Sequence, residues 1–163
     1  MSKDIEKKIR QTFLDSISVK KEIVDNDLDL VLLEAGKVIA DSIANGGKLL
    51  ICGNGGSAAD AQHLAAEFLI RLTSDVNRGS IPALSLAQDT STLTACINDY
   101  GAEDIFKRVF SGLSSDGDVL LAITTSGESK NIIETLKLAK KKGICKQDLE
   151  AFPSLSLPEG WFT

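Results

Sequence analysis

Lys48-Leu49-Leu50-Ile51-Cys52-Gly53-Asn54-Gly55-Gly56-Ser57 is the stretch that decides how this chain folds. Its first half is short and almost wholly apolar, as a strand covered on both faces requires. Its second half is rich in glycine, and residues 58–72 then show helical spacing of their apolar positions. Strand, glycine loop and helix in direct succession open a βα unit of a parallel sheet.

Working outward, the same rhythm recurs downstream. Residues 81–86 read as the next strand, with Pro82 tolerable near its start. Residues 89–96 suggest a short helix opened by Asp89-Thr90-Ser91-Thr92, and 102–113 a further helix. Asp118-Val119-Leu120-Leu121-Ala122-Ile123 is a third buried strand, running into Thr124-Thr125-Ser126-Gly127-Glu128-Ser129. Ile132, Ile133, Leu136, Leu138 and Ala139 then mark a helix that ends at Lys142-Gly143. Upstream, two helices precede any strand. The first, 3–24, carries Ile5, Ile9, Phe13 and Ile17 at helical spacing. The second, 28–44, has Leu28, Val31, Leu32, Ala35, Val38, Ile39 and Ile43 as a stripe expected to be buried, closed by Asn45-Gly46-Gly47. The expected fold is therefore α/β, a three-layer sandwich with a central parallel sheet preceded by two N-terminal helices. After Gly143 the pattern stops, because Lys146-Gln147-Asp148-Leu149-Glu150 is polar and Pro153 and Pro158 break up the last dozen residues. The expected organisation is one domain over 1–144, with its N-terminal helices inside 3–45, and an irregular tail over 145–163.

A chain of 163 residues is large enough to bury a real core as one domain. With 43% hydrophobic and 25% charged residues it has the balance of a soluble globular protein. A net charge of −5 argues against nucleic acid as the main partner. It leaves a phosphorylated small molecule open, since loop N–H groups and helix N-termini hold phosphate without net positive charge. No apolar run approaches the roughly 20 residues of a membrane span, and no secretory signal is visible. Cys52, Cys96 and Cys145 form no CxxC pair, which fits a reducing cytoplasm. Cys52 and Cys96 stand in apolar contexts and read as packing residues.

Both strand-end loops lie where ligands of open α/β sheets bind. Around Asn54, Gly55, Gly56 and Ser57, the glycines allow close backbone approach to a ligand. The same residues suit a tight turn with Ser57 as helix N-cap, and the sequence leaves both readings open. The second loop offers four hydroxyls, Thr124, Thr125, Ser126 and Ser129, before a helix, which favours an anion cradle for a phosphomonoester over a plain N-cap needing one of them. His63, the single histidine, and Glu67 are four residues apart and share a helix face. Such a pair can ligate a divalent metal or act as acid–base groups, or can be incidental. Asn98-Asp99-Tyr100-Gly101 places an amide and a carboxylate beside a glycine, suited to sugar hydroxyls or to an ordinary turn.

Taken together, Cys52-Gly53-Asn54-Gly55-Gly56-Ser57, Ala61-Gln62-His63-Leu64-Ala65-Ala66-Glu67, Asn98-Asp99-Tyr100-Gly101 and Gly117-Asp118-Val119-Leu120-Leu121 leading to Thr125-Ser126-Gly127 resemble the phosphoheptose isomerases of the sugar-isomerase (SIS) superfamily, with its flavodoxin-like fold. Order and spacing agree to about Ile144. The resemblance implies a cytoplasmic homotetramer that interconverts sedoheptulose 7-phosphate and D-glycero-D-manno-heptose 7-phosphate, the first step toward the heptose of lipopolysaccharide cores. By position it implies substrate contacts from Asn54, Gly55, Gly56 and Ser57, and hydroxyl contacts from Asn98 and Asp99. Thr124, Thr125, Ser126 and Ser129 would hold the phosphate. His63 and Glu67 would be two ligands of a Zn2+ ion per subunit, with Glu67 also the catalytic base. The family continues with a strand and a helix carrying a glutamine and a histidine, which this chain is expected to lack. A non-catalytic SIS module of the DiaA kind, binding a sugar phosphate or a protein partner, and an inactive truncated isomerase are the alternative readings.

Overall fold

The computed structural model describes residues 3–144, so the irregular tail expected over 145–163 lies outside the described residues. The described chain falls into two compact units, one up to Lys37 and one from Val38 onward.

The first unit holds α1, Lys3–Asp25, and the first part of α2, Leu28–Ala44. The periodicity located both helices correctly, but the expected burial of the α2 stripe is corrected. No residue of either helix is buried, and Leu32 and Val38 are exposed while Leu28, Val31, Ala35, Ile39 and Ile43 are half-buried. On α1, Ile5, Ile9, Phe13 and Ile17 all face solvent in the single chain. Periodicity tells which face is apolar, and not what covers it.

The second unit is built on a parallel sheet of order β2-β1-β3, with β1 at Leu49–Gly53, β2 at Ala83–Ser85 and β3 at Val119–Ile123. Leu49 pairs with both Ala83 and Val119, and Gly53 with Ile123. The expected strands 81–86 and 48–52 are each shifted or trimmed at their ends. Pro82 O still accepts from Leu49 N and Leu86 N still donates to Ile51 O, so the outer residues do run along β1.

Alternation along the strands sorts the core into two layers. Leu50 and Cys52 point to one face, against Phe106 and Phe110 of α5 (Ile105–Leu113) and Ile132 and Ala139 of α6 (Lys130–Lys141). Leu49 and Ile51 point to the other, against Ala61 and Ala65 of α3 (Gly56–Leu69). Helix, sheet, helix is the three-layer arrangement the sequence predicts. Two further boundaries are corrected. The single helix expected over 102–113 is a 3-10 turn, Ala102–Asp104, followed by α5. The short helix expected over 89–96 is α4, Thr90–Tyr100, held open at its start by Asp89, which accepts from Ser91 N at 3.1 Å and Thr92 N at 3.0 Å.

One buried polar group fixes the start of β3. Asp118, 3% exposed, accepts from Lys48 N (3.0 Å), Lys48 Nζ (2.6 Å) and Ser115 N (2.7 Å). A buried carboxylate needs such partners, and here they lock β3 beside β1.

Candidate active site

From β1 the chain crosses to β2 on one side, and then returns to β3 on the other side of β1. The direction of winding thus reverses between β1 and β3, and an open α/β sheet binds ligands in the crevice at the carboxyl ends of such a pair. Two segments form its rim, 53–57 and 124–129.

The first rim is a reversal too tight for any side chain at Gly53. A Cβ there would stand 2.5 Å from Ser57 O and 2.6 Å from Ser57 C. Gly55 takes φ +55 and occupies the N-cap of α3, with no side chain bonded there. Ser57 is therefore inside the first turn of α3 and does not cap it, contrary to one of the two sequence readings. One residue before the turn, burial pushes the Cys52 thiol up to about 12, so it carries no thiolate near neutrality.

In the second rim the loop folds on its own hydroxyls. Gly127 N donates to Thr124 Oγ1 at 3.3 Å, Glu128 N donates to Ser126 Oγ at 3.2 Å, and Gly127 takes φ +69. Ser129 stands at the N-cap of α6 yet makes no capping bond through its side chain. Thr125 and Ser126 are exposed, and Thr124 and Ser129 half-buried. A helix N-terminus whose N-cap side chain makes no capping bond, ringed by hydroxyls, is suited to an oxyanion.

The two rims are fastened to each other. Asn54 Nδ2 donates to Asn131 Oδ1 and Asn131 Nδ2 donates to Asn54 Oδ1, each at 2.9 Å. Sequence reasoning missed Asn131, since one asparagine in a first helical turn resembles any other. Asn98 and Asp99 end α4 in a helical turn, with Gly101 as C-cap at φ +93. Asn98 Nδ2 donates to Asp99 Oδ1 at 2.7 Å, and Asp99 also lines a cleft of about 320 Å³ with Arg108 and Tyr100. Just after α4, Glu103 pairs with Lys130, the first residue of α6, at 2.9 Å. That hydrogen bond raises the Lys130 pKa above its ordinary value.

His63 and Glu67 are brought together with each other, but not with the rims of the same chain. His63 Nε2 stands 3.4 Å from Glu67 Oε1. The imidazole is 74% exposed and the carboxylate side chain 24%. Between parallel strands a crossover helix runs back against the strand direction, so α3 leaves the crevice as it proceeds. At 1.5 Å per residue, Glu67 lies roughly 16 Å along the axis from Gly56 and His63 roughly 10 Å. Arg78 closes this far end, donating from Nη2 to Glu67 O (2.5 Å) and from Nη1 to Phe68 O (2.8 Å).

A family model described as SIS domain matches residues 12–145. The chain belongs to the SIS domain family. Within it, the relatives are phosphoheptose isomerases. That of Chlorobaculum tepidum is 44% identical over 139 residues, covering 85% of this chain and 66% of its own length. The chain thus spans just under two thirds of that relative. Two solved structures agree. The phosphoheptose isomerase GmhA from Neisseria gonorrhoeae superposes with a TM-score of 0.76 at 39% identity, over 84% of this chain and 70% of its own. A phosphoheptose isomerase from Francisella tularensis gives 0.79 at 37%, over 86% and 71%.

The zinc that the phosphoheptose isomerase resemblance implies can be tested against the residues present. Glu67 Oε2 is buried without a hydrogen-bond partner, an orphan that a cation would satisfy. Yet among the described residues no group of three or more His, Cys, Asp or Glu could hold a metal ion. A catalytic zinc takes three protein ligands. The described SIS domain supplies two of them, which does not make a zinc site. Among the described residues no helix is long and apolar enough to cross a membrane.

Proposed function

We propose that the chain serves the isomerisation of sedoheptulose 7-phosphate to D-glycero-D-manno-heptose 7-phosphate, the first step of heptose synthesis for lipopolysaccharide cores, in the cytoplasm. The observation that carries this reading is the hydroxyl loop 124–129 at the start of α6, where Ser129 makes no capping bond, facing the glycine rim across the β1–β3 crevice. In this reading Thr124, Thr125, Ser126 and Ser129 hold the phosphate, while Asn54, Gly55, Gly56, Ser57, Asn98 and Asp99 meet the sugar. The unpaired state of Cys52 and Cys96 supports a reducing compartment.

Moving a proton between C1 and C2 needs a base at the carbon acid and a way to steady the enediolate oxygen. Glu67 is the base in this proposal, its half-buried carboxylate poised beside the exposed His63. Its place some 16 Å along α3 from the rims favours a division of labour between subunits, the cradle of one facing the Glu67 of a neighbour. The exposed apolar residues of α1 and α2 support the homotetramer that such sharing needs. A zinc ion at this place would take His63 and Glu67 as two donors and require another from outside the described residues of one chain.

The test is conversion of sedoheptulose 7-phosphate by the purified full chain, followed as appearance of the aldose. Mixing Glu67→Gln subunits with Ser126→Ala subunits, each impaired alone, restores part of the activity if sites are shared. Stabilisation by the sugar phosphate without product favours a binding module instead.

A further inference from the structure

The reciprocal amide pair between Asn54 and Asn131 has a defined handedness of donors and acceptors. Asn131 Oδ1 accepts from two groups at 2.9 Å each, Asn54 Nδ2 and the main-chain N–H of Ile132 in its own helix. A carboxamide oxygen has two lone pairs, so this oxygen is saturated. Rotating the Asn131 amide by half a turn would set its NH2 group against the Ile132 N–H, donor facing donor. The helix thus dictates which way Asn131 points, and Asn131 Nδ2 in turn must donate to Asn54 Oδ1. Asn54 itself is exposed, on a segment between Gly53 and Gly55 that has little stiffness of its own. Its orientation is therefore borrowed from α6, across 77 positions of sequence.

We propose that Asn131 is a positioning residue for the sugar: it fixes the Asn54 amide at the crevice rim, so that the one remaining Asn54 N–H and the one remaining carbonyl lone pair, on opposite edges of that amide, are each held in a set direction. A donor and an acceptor fixed in direction can each take one hydroxyl of a polyol chain, the N–H giving its hydrogen to one oxygen and the carbonyl receiving from another. Asn131 makes no contact with the phosphate in this arrangement. The hydroxyl loop recognises the anion, and the amide pair recognises the polyol attached to it. This inference rests on the crevice being a sugar-phosphate site.

The experiment titrates the full chain calorimetrically with sedoheptulose 7-phosphate and, separately, with inorganic phosphate. Asn131→Ala should weaken the sugar phosphate roughly tenfold, the scale of one or two lost hydrogen bonds, and leave inorganic phosphate unchanged. Adding Asn131→Ala to Asn54→Ala should cost nothing more. Asn131→Asp keeps both acceptor contacts and loses the donor to Asn54 Oδ1. Its affinity, taken as a ratio to wild type, should recover as pH falls through the carboxyl range, because protonation restores a donor. Equal weakening of both ligands by Asn131→Ala, or unchanged sugar-phosphate affinity in both variants, overturns the positioning role while the site stands. Absence of any sugar-phosphate binding by the wild-type chain overturns the site and this inference with it.

Discussion

The two ends of α3 are built on opposite principles. At Gly56 the helix begins bare: glycine in the N-cap, no side chain bonded to it, and backbone brought against the crevice by a turn that excludes a Cβ at Gly53. At Leu69 it ends heavily serviced, with Arg78 on the carbonyls of Glu67 and Phe68, and with the Glu67 carboxylate half-buried beside His63. The first end offers what the fold itself makes, main-chain dipoles at a strand end. The second offers side-chain chemistry. One helix thus carries a recognition end and a reaction end, too far apart to serve one small ligand within a single chain.

The largest effect should come from the reaction end. Glu67→Gln is expected to lower kcat by about 10²–10⁴-fold, the range for removal of a general base, with sugar-phosphate affinity changed little in calorimetry. A wild-type rate in that variant would break the contrast outright. Next, Gly53→Ala strikes the recognition end. Its new methyl must displace Ser57 backbone, and overpacking of this kind costs about 1–3 kcal/mol in denaturant unfolding. Ligand affinity should fall with it. Arg78→Ala tests whether the far end needs its clamp. Three charge-assisted bonds to main-chain oxygens, those of Glu67, Phe68 and Gly79, are lost from a half-buried guanidinium, so unfolding free energy should drop by about 1–2 kcal/mol, with phosphate binding unaffected.

The smallest effect sharpens the contrast by using a helix that is capped. Asp89 closes the start of α4, and the Thr92 hydroxyl, followed by the main-chain N–H groups of Thr92 and Ser91, holds its carboxyl below the ordinary value. A carboxyl depressed in the folded state contributes stability above its unfolded value near about 4, and that contribution disappears as pH falls through the folded one. Thermal midpoints should therefore decline slightly more steeply in acid for wild type than for Asp89→Asn, which can cap without titrating. The start of α3, lacking any such carboxyl, should add no comparable slope.

How much of this was legible depended on whether the signal was local. The β1 run and its glycines are contiguous, so strand, turn and helix could be read to within two or three residues. The pairing of His63 with Glu67 followed from a spacing of four. Asn98-Asp99-Tyr100 hid its helix because these are weak helix formers; the Asp89 cap and the buried Cys96 carry α4 through them. Asn131 was illegible because its meaning is a contact with Asn54, distant in sequence. The stripe of α2 was visible as a stripe, while periodicity carries no information on what covers it. The separation of Glu67 from the rims was implicit in any βαβ crossover, and counting residues along α3 would have exposed it.

Cys52 turns the crevice into its own reporter. Its sulfur lies one residue below the glycine turn, fully enclosed and protonated. Alkylating reagents should meet an ordinary thiol there only in molecules whose β1 end has opened. The labelling rate at this position therefore clocks local unfolding of the ligand rim, and any molecule that settles in the crevice should slow that clock in proportion to its occupancy.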